Sequence, residues 1–206
     1  MSTLSTREKI LNCTEELIAE TGFSALSVRK ISHKACTNLA AINYHFGNKQ
    51  YLINEMLERR LNNLFAIRQR MLDELNPNGE EPCLLKDILH AFIAPALMMV
   101  NDHHQGGRRF MKVLARAYAE QSEHLHELLS QRYSGVVKQF AQAIHKACPH
   151  LDENTVFWRF HFIIGSMTYV MSDFGGSSLS SQMNESEYFT QSTNQLIDFA
   201  TNALKA

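Results

Sequence analysis

The stretch "TNLAAINYHFGNK", residues 37–49, decides how this chain is read. It contains no acidic residue. Asn38 suits a helix N-cap, where its side-chain oxygen accepts an otherwise free N–H. Leu39, Ile42 and Phe46 then recur at helical spacing and mark a buried face, and Gly47 is placed to stop the helix. Ala40, Ala41, Tyr44 and His45 point away from that face, with Asn43 on its flank. An ordinary amphipathic helix would carry Glu or Lys there. Small residues on the outer face let a helix come close to base edges, and a packed core has no need of the "NYHFGNK" tail. A nucleic-acid backbone does.

The preceding residues fit the same reading. In "SALSVRKISHKA", residues 24–35, Ser27 is a good N-cap, and Val28, Ile31 and Ala35 form a short apolar stripe. "CTN", residues 36–38, then makes a tight turn. Two short helices joined by about three residues are the helix-turn-helix plan, in which the second helix enters the major groove. Further back, Thr6 can cap a helix from near Arg7, with Ile10, Leu11, Thr14, Leu17 and Ile18 on one face. Gly22 stands where a helix end wants positive φ, and Phe23 follows as an apolar plug. "NKQYLINEML" opens a fourth helix. Residues 1–50 are therefore expected to form a three-helix DNA-binding domain, and 51–206 a larger helical one.

Composition limits the alternatives. The formal net charge of the 206 residues is -1, so any nucleic-acid footprint is local. It has an obvious place. No acid occurs between Glu20 and Glu55, while that window holds Arg29, Lys30, Lys34, Lys49, His33 and His45. Pro and Gly are few (4 and 9) and helical patterns dominate, which predicts an all-α fold. Cys13, Cys36, Cys83 and Cys148 match no zinc spacing. The N-terminal residues lack a signal peptide's apolar centre, and "AFIAPALMMV" is too short to span a bilayer. The expectation is a reduced, cytoplasmic protein without cofactor, metal or membrane partner.

The run "ISHKACTNLAAINYHFGNKQYLINEML", with "TREKILNCTEELIAETGFSALSVRKIS" before it, resembles the DNA-binding domain of the TetR family of transcriptional regulators. The resemblance covers about residues 6–55. One departure is that the family usually has glycine early in the turn, where this chain has Cys36. The resemblance implies that Arg29 and Asn43 read base edges and that Ala40 touches a thymine methyl. It implies phosphate contacts for Thr37, Tyr44 and His45, and for Lys49 at the start of the fourth helix. Ser27 either donates to phosphate or only caps its helix. The partner is a double-stranded operator.

The remainder reads as long helices. "LLKDILHAFIAPALMMV" contains Pro95, which removes a helical hydrogen bond. "TVFWRFHFIIGSMTYVM" is apolar on nearly all sides, which predicts burial all round. The resemblance implies that the last two helices pair with a second copy as a four-helix bundle, suiting a two-fold dimer on a roughly palindromic operator. Large or flexible apolar groups recur through this part. Phe92, Met98, Met99, Phe110, Phe157, Phe160 and Met167, with Arg116 and His161, are the candidates to line a pocket for an elongated apolar effector. Arg109 and Arg116 lie seven apart, where either pairs an effector carboxylate or simply a surface acid. "NLAAINYHFGNK", "RRFMKVLARAYAE" and "PHLDENTVFWRFHFIIGSMTYVMSD" are similar to the PsrA-like subgroup, repressors of fatty-acid metabolism that sense fatty acids or acyl-CoA.

The histidine groups "DHHQGG", "HLH" and "RFHF" lack the i, i+4 spacing with an acid that a helical zinc site wants. No Gly-rich phosphate loop or nucleophile elbow occurs, so nothing asks for an enzyme. The leading expectation is a ligand-responsive repressor. A redox-sensing regulator switching through Cys36 is the alternative. An enzyme or carrier with a fortuitous helix-turn-helix is a third reading, and it predicts no salt-dependent DNA binding.

Overall fold

The computed structural model describes residues 4–75, 83–99, 106–120, 122–171 and 185–206, and among these every regular element is helical. In chain order they are α1 (Thr6–Thr21), α2 (Val28–Lys34), α3 (Leu39–Phe46), α4 (Lys49–Leu75), α5 (Leu85–Met98), α6 (Gly107–Ala119) and α7 (Glu123–Leu128). A π-helical turn (Leu129–Tyr133) leads into α8 (Ser134–Ala147), followed by α9 (Glu153–Met171) and α10 (Glu185–Lys205). The all-α expectation holds. The polar segment "NPNGEEP", residues 76–82, and most of "NDHHQGG", residues 101–107, and "GGSSLSSQMNESE", residues 175–187, expected to separate helices, lie outside the described residues.

The chain divides into two compact units. The first comprises Met1–Asn62 and Arg109–Gln131, the second Asn63–Arg108 and Arg132–Ala206.

In the first unit, local chemistry sets each helix end. Ser5, rather than Thr6, caps α1, because Ser5 and Glu8 form a reciprocal capping box. Gly22 ends the helix at φ 84°, its N–H on the Ile18 carbonyl at 2.9 Å. Ile10, Leu11, Ile18, Ile31, Ile42 and Phe46 are buried. Glu15 lies among them on α1, only 1% exposed. Its carboxylate takes Arg59 Nη2 at 2.7 Å and Arg60 Nε at 3.4 Å, joining α1 to α4.

In the second unit, Phe92 of α5 packs edge-on to Phe140 of α8 at 5.1 Å and against Phe160 of α9 at 4.8 Å. Phe65 of α4 stacks on Tyr133 at 4.3 Å. The Arg68 guanidinium is buried with these rings, 3.9 Å over Phe92, and its Nε donates to the Phe92 carbonyl at 2.9 Å. On α9, Val156, Phe160, Ile163, Met167 and Met171 form a buried stripe. Burial all round does not occur in the single chain: Phe157, Trp158, Phe162 and Tyr169 are exposed. An apolar pattern marks what wants to leave water, not which molecule covers it.

Candidate nucleic-acid interface

The turn between α2 and α3 is built by hydrogen bonds that reach back over the end of α2. Cys36 N–H donates to the His33 carbonyl at 3.2 Å, and Thr37 N–H donates to the Ser32 carbonyl at 2.9 Å. These two bonds form a Schellman motif, whose penultimate residue must be left-handed. Cys36 holds that position at φ 49°. It is the only non-glycine residue with positive φ among those described. Cys36 thus takes a left-handed conformation at the turn where the family usually has glycine.

Asn38 then caps α3, its Oδ1 accepting the Ala41 N–H at 2.8 Å. At the far end Gly47 adopts φ 73° and ψ -60°, and Asn48 N–H donates to the Phe46 carbonyl at 2.8 Å. That is a γ-turn of the positive-φ kind, which an L side chain rarely tolerates. Asn48 in turn caps α4, accepting the Tyr51 N–H at 3.0 Å. The chain thus reverses sharply between the end of α3 and the free N–H groups of α4.

Ile42 and Phe46 face the core, but Leu39, expected on the same face, is exposed at the first turn of α3, as are Ala40, Asn43 and Tyr44. Tyr44 is 86% exposed, so it is not a core aromatic. Its ring meets His45 edge-on at 5.2 Å, and His45 is half-buried. Thr37 is half-buried at the end of the turn. Arg29 is exposed at the start of α2. Ser27 caps α2, accepting the Lys30 N–H at 3.2 Å. Lys49 donates its ammonium to the Leu26 carbonyl at 2.6 Å, and Lys30 does the same to Ala25 at 2.8 Å.

The acid-free window is less positive than its sequence. Lys34 reaches back to α1 and pairs with Glu20 at 3.0 Å and Glu16 at 3.5 Å. The hydrogen bond that Lys34 donates to Glu20 raises its ammonium above the ordinary range, against the opposing effect of burial. Lys34 is therefore spent on the fold.

Glu120 escaped the sequence reading, and Arg116, expected as an effector contact, is instead engaged with the backbone at the end of α1. Glu120 takes the N–H groups of Phe23 and Ser24 at 3.0 and 3.1 Å. Arg116 donates to the Ala19 and Glu20 carbonyls, both at 3.0 Å, and Arg109 pairs with Glu16 at 2.9 Å. Together they clasp the end of α1. Arg109, Arg116 and Glu120 lie at spacings of seven and four, a periodicity visible in the sequence, but their partners are about a hundred residues away. Tyr51, 66% exposed in the first turn of α4, was also missed. An exposed aromatic beside Lys49 was the available signal.

The effector candidates are divided between the units. Phe110 and Arg116 belong to the first, the other seven to the second. In the second, Phe92, Phe160 and Met167 are buried around Arg68, whose Nη2 lies 3.7 Å from the Met167 sulfur. Met99 is half-buried, and Met98, Phe157 and His161 are exposed. His161 Nδ1 lies 2.8 Å from the Phe157 carbonyl. Among the described residues no three His, Cys, Asp or Glu side chains converge on a metal position. No described helix is long and apolar enough to cross a membrane.

The family profile "Bacterial regulatory proteins, tetR family" matches residues 10–56, and "Tetracyclin repressor-like, C-terminal domain" matches residues 90–203. The chain belongs to the TetR family of bacterial regulatory proteins. Its helix-turn-helix is therefore the family's DNA-binding element, with α3 as the second helix. Solved TetR-like structures share the fold over nearly the whole length. A TetR-like transcriptional regulator from Rhodococcus sp. RHA1 has TM-score 0.61 and 16% identity, covering 97% of this chain and 96% of that one. The fatty acid degradation regulator FadR from Bacillus halodurans has TM-score 0.62 and 15% identity, covering 96% and 97%. AmtR from Mycobacterium smegmatis has TM-score 0.66 and 13% identity, covering 100% and 89%. No curated protein matches the chain.

Proposed function

We propose that this TetR-family regulator is a ligand-responsive repressor that binds a palindromic operator as a homodimer. The observation that carries the reading is the outer face of α3. Ala40, Asn43 and an 86% exposed Tyr44 stand over the buried Ile42 and Phe46. Such a face fits a groove and serves no core. Asn43 and Arg29 read bases, and Ala40 meets a thymine methyl. Thr37, Tyr44, His45 and Lys49 hold phosphates, with Ser27 fixing the start of α2. A phosphate oxygen is a stronger acceptor than the carbonyl that Lys49 holds in the free chain. Residues 1–50 are the DNA-binding head, and 51–206 serve effector binding and dimerisation.

The dimer reading is supported by aromatic groups left uncovered on the last two helices: Phe157, Trp158, Phe162 and Tyr169 of α9, and Phe199 of α10. A second copy covering them would complete a four-helix bundle.

The effector is an elongated apolar acid, a fatty acid or its acyl-CoA, as in the PsrA-like subgroup. Within the second unit, Phe92, Phe160 and Met167 supply adaptable apolar contacts. Arg68 there can exchange the Phe92 carbonyl for a carboxylate, the better partner for a guanidinium. Binding releases DNA because the acid favours the arrangement in which those rings have parted. FadR of Bacillus halodurans lends the fold alone, so the effector class rests on these residues.

The test is a mobility shift of the purified protein on its own promoter, with and without a long-chain acyl-CoA. A specific shift released by the acyl-CoA is expected, and in Arg68→Met the release is lost while the shift remains. A shift indifferent to fatty acids and acyl-CoA removes the effector class. Failure to select any DNA in a genome-wide capture removes the repressor.

A further inference from the structure

We propose that Cys13 and Cys36 form a thiol pair that a hydroperoxide closes into an intrachain disulfide, tying the helix-turn-helix turn to α1 and releasing DNA. The release rests on the reading of α3 as the DNA-reading helix; the disulfide itself does not.

The fold brings the two cysteines into one neighbourhood. Cys13, Glu16 and Glu20 share a strip of α1, at helical spacings of three and four. Lys34, the last residue of α2, pairs with Glu16 and Glu20 on that strip. Cys36 follows Lys34 by two residues, so the chain delivers it to the part of α1 that carries Cys13. The charges agree. Burial above all, then Glu16, pushes the Cys13 thiol up; Lys34 lowers it, Cys36 raises it again, and Arg109 lowers it. Glu16 and Lys34, the pair that joins α2 to α1, are thus among the groups that act on Cys13, with Cys36.

Their exposures differ in a useful way. Cys36 is exposed and Cys13 half-buried. Peroxide therefore meets Cys36 first, and Cys13, with its raised pKa, is the slower thiol and the resolving one. The Cys36 thiolate attacks the terminal peroxide oxygen. The O–O bond breaks, and Cys36 becomes a sulfenic acid as water or an alcohol leaves. The Cys13 sulfur then attacks the Cys36 sulfur. The S–S bond forms, the S–O bond breaks, and the departing hydroxide takes the Cys13 proton as water. The two thiols supply both electrons.

Cys36 is also the mechanical weak point. It occupies the left-handed position of the Schellman motif, where glycine costs least. Drawing its sulfur toward α1 strains the bonds from Cys36 to His33 and from Thr37 to Ser32. Thr37 and the α3 cap Asn38 follow directly, so the reading helix is re-aimed.

The experiment treats the reduced full-length chain with hydrogen peroxide, alkylates the remaining thiols and maps tryptic peptides by mass. A disulfide joining peptide 10–29 to peptide 35–49 is expected. It is absent in Cys13→Ser and Cys36→Ser, and in Cys13→Ser a dimedone adduct accumulates on Cys36. Operator affinity of the wild type falls roughly tenfold on oxidation, about the worth of one good base contact, and returns with dithiothreitol. Over-oxidation of Cys36 without the linked peptides, or linkage to Cys83 or Cys148, overturns the pair. Linked peptides with unchanged operator affinity overturn the switch. If the reduced protein binds no DNA, the repressor reading fails, while the linked peptides still decide the pair.

Discussion

Glu15→Ala gives the sharpest test of how the DNA-binding head is held together. The Glu15 carboxylate is 1% exposed and faces two guanidinium groups. Its bond to Arg59 Nη2 is short, 2.7 Å, and charge-assisted, a class that contributes about 1.5–3 kcal/mol. The contacts to Arg60, at 3.4 and 3.5 Å, add less. Breaking a fully buried pair costs about 3–5 kcal/mol, because the remaining charge is stranded. Here the arginine side chains keep 28% and 15% of their exposure, so water recovers part of that loss. The expected destabilisation is then about 3 kcal/mol, which for a chain of this size lowers Tm by roughly 6–12 °C. Far-UV circular dichroism during heating and in urea measures it. Glu15→Gln keeps an oxygen acceptor but no charge and falls between. The pairing has a second signature: Arg59→Ala costs less in the Glu15→Ala background than in the wild type. A Tm within about 1 °C of wild type, or strictly additive losses, would refute the reasoning.

Three further outcomes follow from the geometry. Cys36→Gly relieves a left-handed L residue and should stabilise the reduced protein by about 1 kcal/mol, read from urea midpoints; a loss would mean the thiol's packing outweighs the strain. Gly22→Ala should destabilise strongly, because φ 84° is backbone that an L side chain rarely adopts, and its Cβ would also press on the Glu120 carboxylate; adding Glu120→Ala should recover only the steric part, the backbone penalty remaining. His124 gives a pH dependence. Burial lowers its pKa from the ordinary 6.5; Glu127 opposes, Lys49 adds to the lowering, and Glu123 opposes again. The unfolded chain therefore binds the proton first, so stability is complete above about pH 6.5 and declines as pH falls below it. His124→Asn should flatten that decline, and an unchanged pH profile would show that His124 does not contribute to it.

The legible parts of the sequence were those settled within a few residues. Gly22, Ser27, Asn38 and Gly47 all bound helices as their chemistry suggests, and the departure noted at Cys36 coincides with a positive φ. The clasp of Arg116 and Glu120 on the end of α1 was not legible, because periodicity reports a face and not its distant partner. Glu15 left a trace. It falls four after Leu11 and three before Ile18, an acid on an apolar face, and such an acid implies buried cations. The π turn at Leu129–Tyr133 left none, since one run of helical pattern covers it and the helices on both sides. On α9 the apolar pattern predicted burial all round, and the single chain buries only one stripe of it, because periodicity does not say which chain covers a face.

The charge of the acid-free window leads to the last test. Four cations occupy that window, yet the fold treats them differently. Lys34 is committed to Glu16 and Glu20, so its charge is already balanced. Among the described residues Lys49 and Lys30 hold neutral carbonyls and no carboxylate, which leaves them available to phosphate. Arg29 has no ion pair among the described residues and is exposed beside them. A cation that neutralises a phosphate releases a counterion, so each contributes about 0.9 to the slope of log K against log salt. Lys49→Gln should therefore weaken binding to every DNA sequence alike and reduce the slope by about one. Lys34→Gln should leave the slope unchanged while lowering thermal stability modestly, since its partners are partly exposed. Asn43→Ala should do neither, and instead lose discrimination at particular base pairs. Equal slopes for Lys34→Gln and Lys49→Gln would mean that the ion pairs of Lys34 open on DNA. The head would then bind as a general cationic surface, not through the particular groups that the turn and caps hold in place.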